Sequence, residues 1–158
     1  MVENSGDFAA KYALYGGAVY RLAMNYLASG PDSEDVMQEA FVRLLTRAPA
    51  FADAGHEKRW LLRVTANLCK NKLRSPWHTR RAPAEALQQV AAPDGERQAL
   101  ELVFGLPAAY RVVLYLHCYE GYSVKEVAQL LRFSQSAVKM RLKRGRDLLR
   151  LEREEERR

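Results

Sequence analysis

Apolar residues recur at intervals of three and four along most of the chain, and no stretch alternates apolar and polar long enough to specify a strand. The pattern predicts an all-α protein. A first helix is expected over 7–28, with Leu14, Ala18, Leu22 and Tyr26 on one face. Ser29, Gly30 and Pro31 break it. A second helix starts at Asp32 or Ser33 and runs to Arg47. Its first turn is acidic, where the helix dipole favours negative charge. Val36, Met37, Ala40, Phe41, Leu44 and Leu45 form its expected buried face. After a loop containing Pro49 and Gly55, a third helix spans 57–74 and is stopped by Ser75 and Pro76. Leu61, Leu62, Val64, Thr65 and Leu68 are its core candidates.

Residues 80–95 carry Pro83, Pro93 and Gly95 among alanines and glutamines, a linker composition. A second helical unit starts near Glu96. Pro107 suits the first turn of a helix that runs to Glu120, and Gly121 suits its carboxyl cap. Ser123 followed by Glu126 forms a capping box for a helix whose apolar positions are Val124, Val127, Ala128 and Leu131. Arg132 and Phe133 interrupt it. Ser134 caps a second helix with the stripe Val138, Leu142, Gly145 and Leu149. Residues 152–158 read as a frayed, charged tail. The expected architecture is two small helical domains, 1–79 and 96–158, joined by a linker over 80–95.

Charge changes this picture from architecture to ligand. The chain has 158 residues, 48% of them hydrophobic, and a formal net charge of +6, which favours a polyanionic partner. The charge is segmented. Residues 1–56 hold four basic and seven acidic residues, whereas 57–81 hold eight basic residues and only Glu57 as an acid. Between Arg132 and Arg150 seven basic residues face the single acid Asp147. A short helix, a tight turn and a basic helix match the way a helix-turn-helix seats its second helix in the major groove. A solvated amphipathic surface is the alternative, although such surfaces more often mix signs to gain helix ion pairs. Two basic surfaces joined by a linker fit two contacts on one nucleic acid.

Other classes find little support. No run of apolar residues is long enough for a membrane span, and the N-terminus lacks the pattern of a signal peptide. Cys69 and Cys118 form no C-x-x-C pair and read as reduced structural thiols in a cytoplasmic protein. His56, His78 and His117 are scattered, and no zinc-protease, phosphate-loop or serine-hydrolase motif occurs. No catalytic residue, cofactor or metal ligand is expected, and the chain does not read as an enzyme.

Two further stripes carry candidate chemistry. Asp35, Gln38, Glu39 and Val42 share one side of the second helix, either as a solvated face or as a docking stripe for a basic partner. On the third helix, Trp60, Arg63, Asn67, Lys70, Asn71 and Arg74 recur on a more polar side, and Trp77 and His78 follow. Aromatic faces stack on bases, arginine neutralises phosphate and asparagine pairs with base edges. Burial of Trp60 as a core residue is the alternative for that position.

Three segments in this order resemble a known family. PDSEDVMQEAFVRLL is similar to region 2.2 of bacterial sigma factors, and EKRWLLRVTANLCKNKLR to the promoter-melting and minus-10 segment that follows. LPAAYRVVLYLHCYEGYSVKEVAQLLRFSQSAVKMRLKRGRDLL is similar to region 4. The small size resembles the extracytoplasmic-function group of the sigma-70 superfamily. The resemblance implies a factor that binds core RNA polymerase and directs promoter-specific initiation. It implies that Asp35, Gln38 and Glu39 meet the clamp of the polymerase β′ subunit and that the helix-turn-helix docks on the β flap. Asn67, Arg63 and the loop over 51–58, with Lys70 and Arg74 on the same helix, would hold the minus-10 strand. Ser136, Lys139, Arg141, Lys143 and Arg144 would meet the minus-35 element. An anti-sigma factor is a further implied partner. A stand-alone dimeric helix-turn-helix regulator and a sigma-like interaction protein without promoter activity are the alternatives. Asn71 stands where many relatives have aspartate, and Arg132 where many have glycine or asparagine at the turn.

Overall fold

The computed structural model describes residues 2–75 and 103–156. The linker over 80–95, Trp77, His78 and the start of the second unit near Glu96 lie outside the described residues. Within them the chain forms α1 (Val2–Leu27), α2 (Gly30–Arg47) and α3 (Ala54–Arg74). There follow α4 (Ala108–Leu114), a π-helical turn (Tyr115–Tyr119), α5 (Val124–Leu131) and α6 (Gln135–Glu156). No strand occurs among the described residues, and the protein is all-α.

The apolar stripe of α1 runs through Tyr15, Val19, Leu22 and Tyr26 rather than through Leu14, which is 69% exposed. One residue turns a helix by about 100°, so Leu14 lies well round the helix from Tyr15. The same step takes Leu45 out of the core, whereas its neighbour Leu44 is buried. Helix α2 begins two residues before Asp32. Ser29, expected only to break α1, is its N-cap and accepts a hydrogen bond from the Asp32 amide, with Pro31 in the first turn. Helix α3 likewise begins before Glu57, because Asp53 caps it by accepting from the His56 amide at 2.7 Å. Glu57 is therefore buried one turn inside α3. There it accepts from the Tyr15 hydroxyl at 2.8 Å and pairs with Lys11 at 2.7 Å.

The helix expected to run unbroken to Glu120 departs from α geometry at its end. The Glu120 amide donates to the Tyr115 carbonyl at 3.0 Å, the wider spacing of a π turn. Gly121 then takes φ +81°, a left-handed conformation that favours glycine. Residues 152–156, expected as a frayed tail, continue α6.

Both sets of helices share one hydrophobic core. Leu22, Phe41, Leu61 and Leu62 from the first three helices cluster with Val113, Val127, Leu131 and Val138 from the last three and with Leu116 of the π turn. Each such side chain contributes about 1.5–3 kcal/mol relative to exposure. Arg111 is buried where the sets meet, its guanidinium donating to the Asn25 carbonyl at 3.0 Å and to the Leu106 carbonyl at 2.5 Å. Burial pushes its pKa down to about 10, so it remains charged at neutral pH.

Candidate nucleic-acid interface

Helices α5 and α6 form a helix-turn-helix whose geometry is set by local hydrogen bonds. Ser123 Oγ accepts from the Glu126 amide at 3.1 Å, and Glu126 accepts in return from the Ser123 amide at 3.1 Å. These bonds hold the Glu126 carboxyl below its ordinary range. Such a cap stabilises the start of a short helix by about 1 kcal/mol. At the other end Arg132 adopts φ 58°, ψ 46°, and its amide donates to the Ala128 carbonyl. The left-handed turn is thus built with a side chain that is mildly strained there. Ser134 Oγ then accepts from the Ala137 amide at 3.1 Å and starts α6.

The buried stripe of α6 is Val138, Leu142 and Gly145. A Cβ at Gly145 would lie 2.9 Å from Leu114 Cδ1, so the close approach of α4 depends on the missing side chain. Opposite this stripe Ser136, Lys139, Lys143 and Arg144 are exposed. Arg141 is half-buried with its guanidinium 4.1 Å from the centre of the Phe133 ring, a cation–π contact.

On α3, Arg63 and Arg74 are exposed, and Asn67 and Lys70 are half-buried. Two of these cations reach across to α5. Lys70 Nζ donates to the Leu131 carbonyl at 2.8 Å, and Arg63 donates to the Gln129 carbonyl at 3.5 Å. Lys70 also lies 5.0 Å from the Phe133 ring, so that ring sits against one cation from each of the two basic surfaces. Burial, and the positive charges of Arg132, Arg74 and Arg141, depress the pKa of Lys70. Trp60 is half-buried and packs edge-on against Phe51 at 5.6 Å.

The α2 stripe of Asp35, Gln38, Glu39 and Val42 is fully on the surface, with Val42 49% exposed beside the acids. Asp35 pairs with Lys72 at 3.3 Å and Glu39 with Arg43 at 3.2 Å. Contacts of this kind between exposed groups are worth about 0–1 kcal/mol and exchange readily for a partner's charges.

Glu120 carries a cluster that the sequence did not announce. Its carboxylate, 7% exposed, accepts from Tyr115 at 2.6 Å, pairs with Lys58 at 2.8 Å and lies 3.5 Å from Arg21. Burial pushes the carboxyl up, but the hydrogen bonds from Lys58 and Tyr115 and the charge of Arg21 outweigh it and hold the group below its ordinary range. In the sequence Glu120 is only the residue before a capping glycine, and no periodicity distinguishes it. No cluster of metal-ligating side chains occurs among the described residues, and none of their helices is long and apolar enough to cross a membrane. Cys69 is buried, and burial pushes its thiol well up.

A helical chain ending in a capped helix-turn-helix with a basic, exposed second helix is a DNA-binding protein by class. Comparison with known proteins narrows the class. Residues 12–79 match the model for sigma-70 region 2 and residues 96–149 that for sigma-70 region 4. The chain therefore belongs to the sigma-70 family of RNA polymerase sigma factors, in its extracytoplasmic-function group. A probable RNA polymerase sigma factor, RfaY of Xanthomonas campestris pv. campestris, is 35% identical over 137 residues. The match takes in 76% of this chain but only 34% of that protein, so the chain spans about a third of this relative's length. The extracytoplasmic-function sigma factor SigW of Bacillus subtilis is 28% identical over 90% of this chain and 87% of its own length. Among solved structures, the sigma factor RpoE of Bartonella quintana, in complex with the anti-sigma factor NepR, superposes with a TM-score of 0.68 at 18% identity. That superposition covers 90% of this chain and 94% of that one. CnrH in complex with the cytosolic domain of CnrY gives a TM-score of 0.62 at 24% identity, over 91% and 85% of the two chains.

Proposed function

We propose that this sigma factor works as two DNA-reading units, 1–79 and 96–158 joined by 80–95, that together direct core RNA polymerase to a promoter in the cytoplasm. Helix α6 reads duplex DNA at the minus-35 element through Ser136, Lys139, Arg141, Lys143 and Arg144. Helix α3 holds the minus-10 strand through Arg63, Asn67, Lys70 and Arg74. Asn67 meets a base only after it leaves the stack, a step that costs a few kcal/mol and is offset by contacts to the extruded base. Asp35, Gln38 and Glu39 dock on the β′ clamp, and the helix-turn-helix on the β flap. The chemistry of initiation belongs to the polymerase; this chain supplies position and strand capture. A regulator of the anti-sigma kind is a further partner, by analogy with the complexes formed by the Bartonella factor and CnrH.

The observation that carries this proposal is the exposure of Ser136, Lys139, Lys143 and Arg144 on the face of α6 opposite Val138 and Leu142. The test is transcription in vitro with bacterial core polymerase on a promoter library. The wild-type chain selects a promoter class. Asn67→Ala retains upstream duplex binding but loses permanganate-reactive bubble. Lys139→Ala either relaxes preference at one minus-35 position at a cost of about 1–3 kcal/mol, or lowers the salt slope by about one. Failure of the chain to bind core polymerase, together with a palindromic footprint formed without polymerase, would replace the proposal with a dimeric regulator.

A further inference from the structure

We propose that Met140 makes α6 a reader of the C5-methyl group of thymine, so that promoter choice by this chain depends on a methyl group in the major groove as well as on hydrogen-bonding edges. The inference rests on the role given to α6 above and names the chemical group that the helix selects. Met140 is 51% exposed and stands outside the hydrophobic core. It lies two residues from Val138 and two from Leu142. At about 100° per residue it therefore points almost directly away from the buried stripe. Ser136 and Arg144, one turn to either side of it, are exposed, and so are Lys139 and Lys143 beside it. An apolar side chain thus stands in the middle of a face made otherwise of a hydroxyl and cations. A lone exposed apolar residue is commonplace on a protein surface. One ringed by DNA-reading groups is different, because it loses its water whenever DNA binds and then needs an apolar counterpart. The thymine methyl is the apolar group that base edges present in the major groove.

The neighbours of Met140 decide which base carries the methyl. Lys139, Lys143 and Arg144 offer donors alone, and Ser136 either donates or accepts. The single acid between Arg132 and Arg150 is Asp147, seven residues beyond Met140 and so about 10 Å further along the helix. The face around Met140 therefore suits acceptors on a base edge, the O4 of thymine or the N7 and O6 of guanine, and opposes the amino group of cytosine. Of these two bases only thymine adds a methyl. Its methyl and its O4 are neighbours on one ring, so a single base can meet Met140 and one of the lysines together. Methionine suits the task, because its unbranched, polarizable side chain adapts to the position of a small apolar group. A cytosine methylated at C5 carries the same methyl beside the wrong hydrogen-bonding group. It should bind better than cytosine and worse than thymine.

Deoxyuridine in place of thymidine removes the methyl and leaves every hydrogen-bonding group where it was. The experiment measures binding of the reconstituted holoenzyme to a promoter that the wild-type chain selects, with each thymine of the minus-35 element, on either strand, replaced in turn by uracil. Wild-type, Met140→Ala and Met140→Leu chains are compared. At one position uracil is expected to cost the wild-type holoenzyme about fourfold in affinity, the worth of one buried methyl. Met140→Ala weakens binding to the thymine promoter and no longer distinguishes thymine from uracil there. Met140→Leu, with an apolar side chain of similar volume, keeps the distinction. At the same position 5-methylcytosine binds better than cytosine to the wild-type holoenzyme and equally to Met140→Ala. A selected element without any A·T pair overturns the proposal. So does equal wild-type affinity for every uracil duplex, or a uracil penalty that persists in Met140→Ala. Each of those results, obtained while the wild-type holoenzyme binds and opens the unmodified promoter, leaves the sigma-factor reading standing. Loss of all dependence on the minus-35 sequence would instead remove α6 from DNA and this inference with it.

Discussion

At the scale of single residues, Arg132 is where backbone and side chain disagree. The turn of the helix-turn-helix requires a left-handed residue, and an arginine fills it at φ 58°. That conformation costs an L side chain about 1–2 kcal/mol, partly returned if glycine's greater freedom in the unfolded chain is counted. Arg132→Gly is therefore expected to raise stability by about 0.5–1 kcal/mol, read as a shift of the urea midpoint at constant slope. An exposed arginine at a left-handed turn fits a contact outside the fold. The same variant, measured as holoenzyme on promoter DNA, is expected to lower the salt slope by about one. A more stable protein with an unaltered slope would confine Arg132 to shaping the turn.

At the scale of elements, local signals were legible and long-range ones were not. The capping box of Ser123 and Glu126, the break at Arg132 and the start at Ser134 could be read directly, because each is made by residues within four of one another. Buried stripes were legible to within one residue, which is why Leu14 and Leu45, at the edges of their stripes, were misplaced. Ser29 looked like a breaker because a serine that ends one helix and a serine that caps the next are the same letter. The exposure of Asp35, Gln38 and Glu39 followed from periodicity, but their pairing with Lys72 and Arg43 did not all follow from it. Reversing Asp35 and Glu39 to lysine is expected to leave far-UV ellipticity unchanged, since exposed pairs of this kind contribute about 0–1 kcal/mol. The same double variant is expected to weaken pull-down of core polymerase. Full retention of binding would remove α2 from the polymerase interface. What periodicity could not convey is which stripe meets which, so the basic face of α3 was legible as cationic but not as the seat of α5.

At the scale of the whole molecule, one core and a few buried charges join two sets of helices. Glu120 makes that union depend on pH. Its carboxyl is held below the ordinary value of 4.5, so its contribution is present above that value and is lost as pH falls through the folded-state value. Acidification below about 4.5 is expected to loosen the contact between the two sets of helices before the helices melt, seen as a larger radius of gyration with helical ellipticity retained. Glu120→Gln should abolish the acid step. A radius that stays constant until the helices unfold would show that the core alone holds the two sets together. The π turn at Tyr115–Tyr119 bears on the same residue as a matter of insertions and deletions. A π turn is an α-helix with one surplus residue, absorbed as a bulge so that the chain beyond keeps its angular phase. Deleting the exposed Cys118 should therefore regularise the helix and leave Glu120 facing Arg21. Inserting one alanine after Cys118 exceeds what the bulge can absorb and turns Glu120 about 100° away. The yield of bismaleimide linkage between Arg21→Cys and Glu120→Cys should survive the first change and vanish with the second. On that footing the chain can lose a residue here at little cost but cannot gain one.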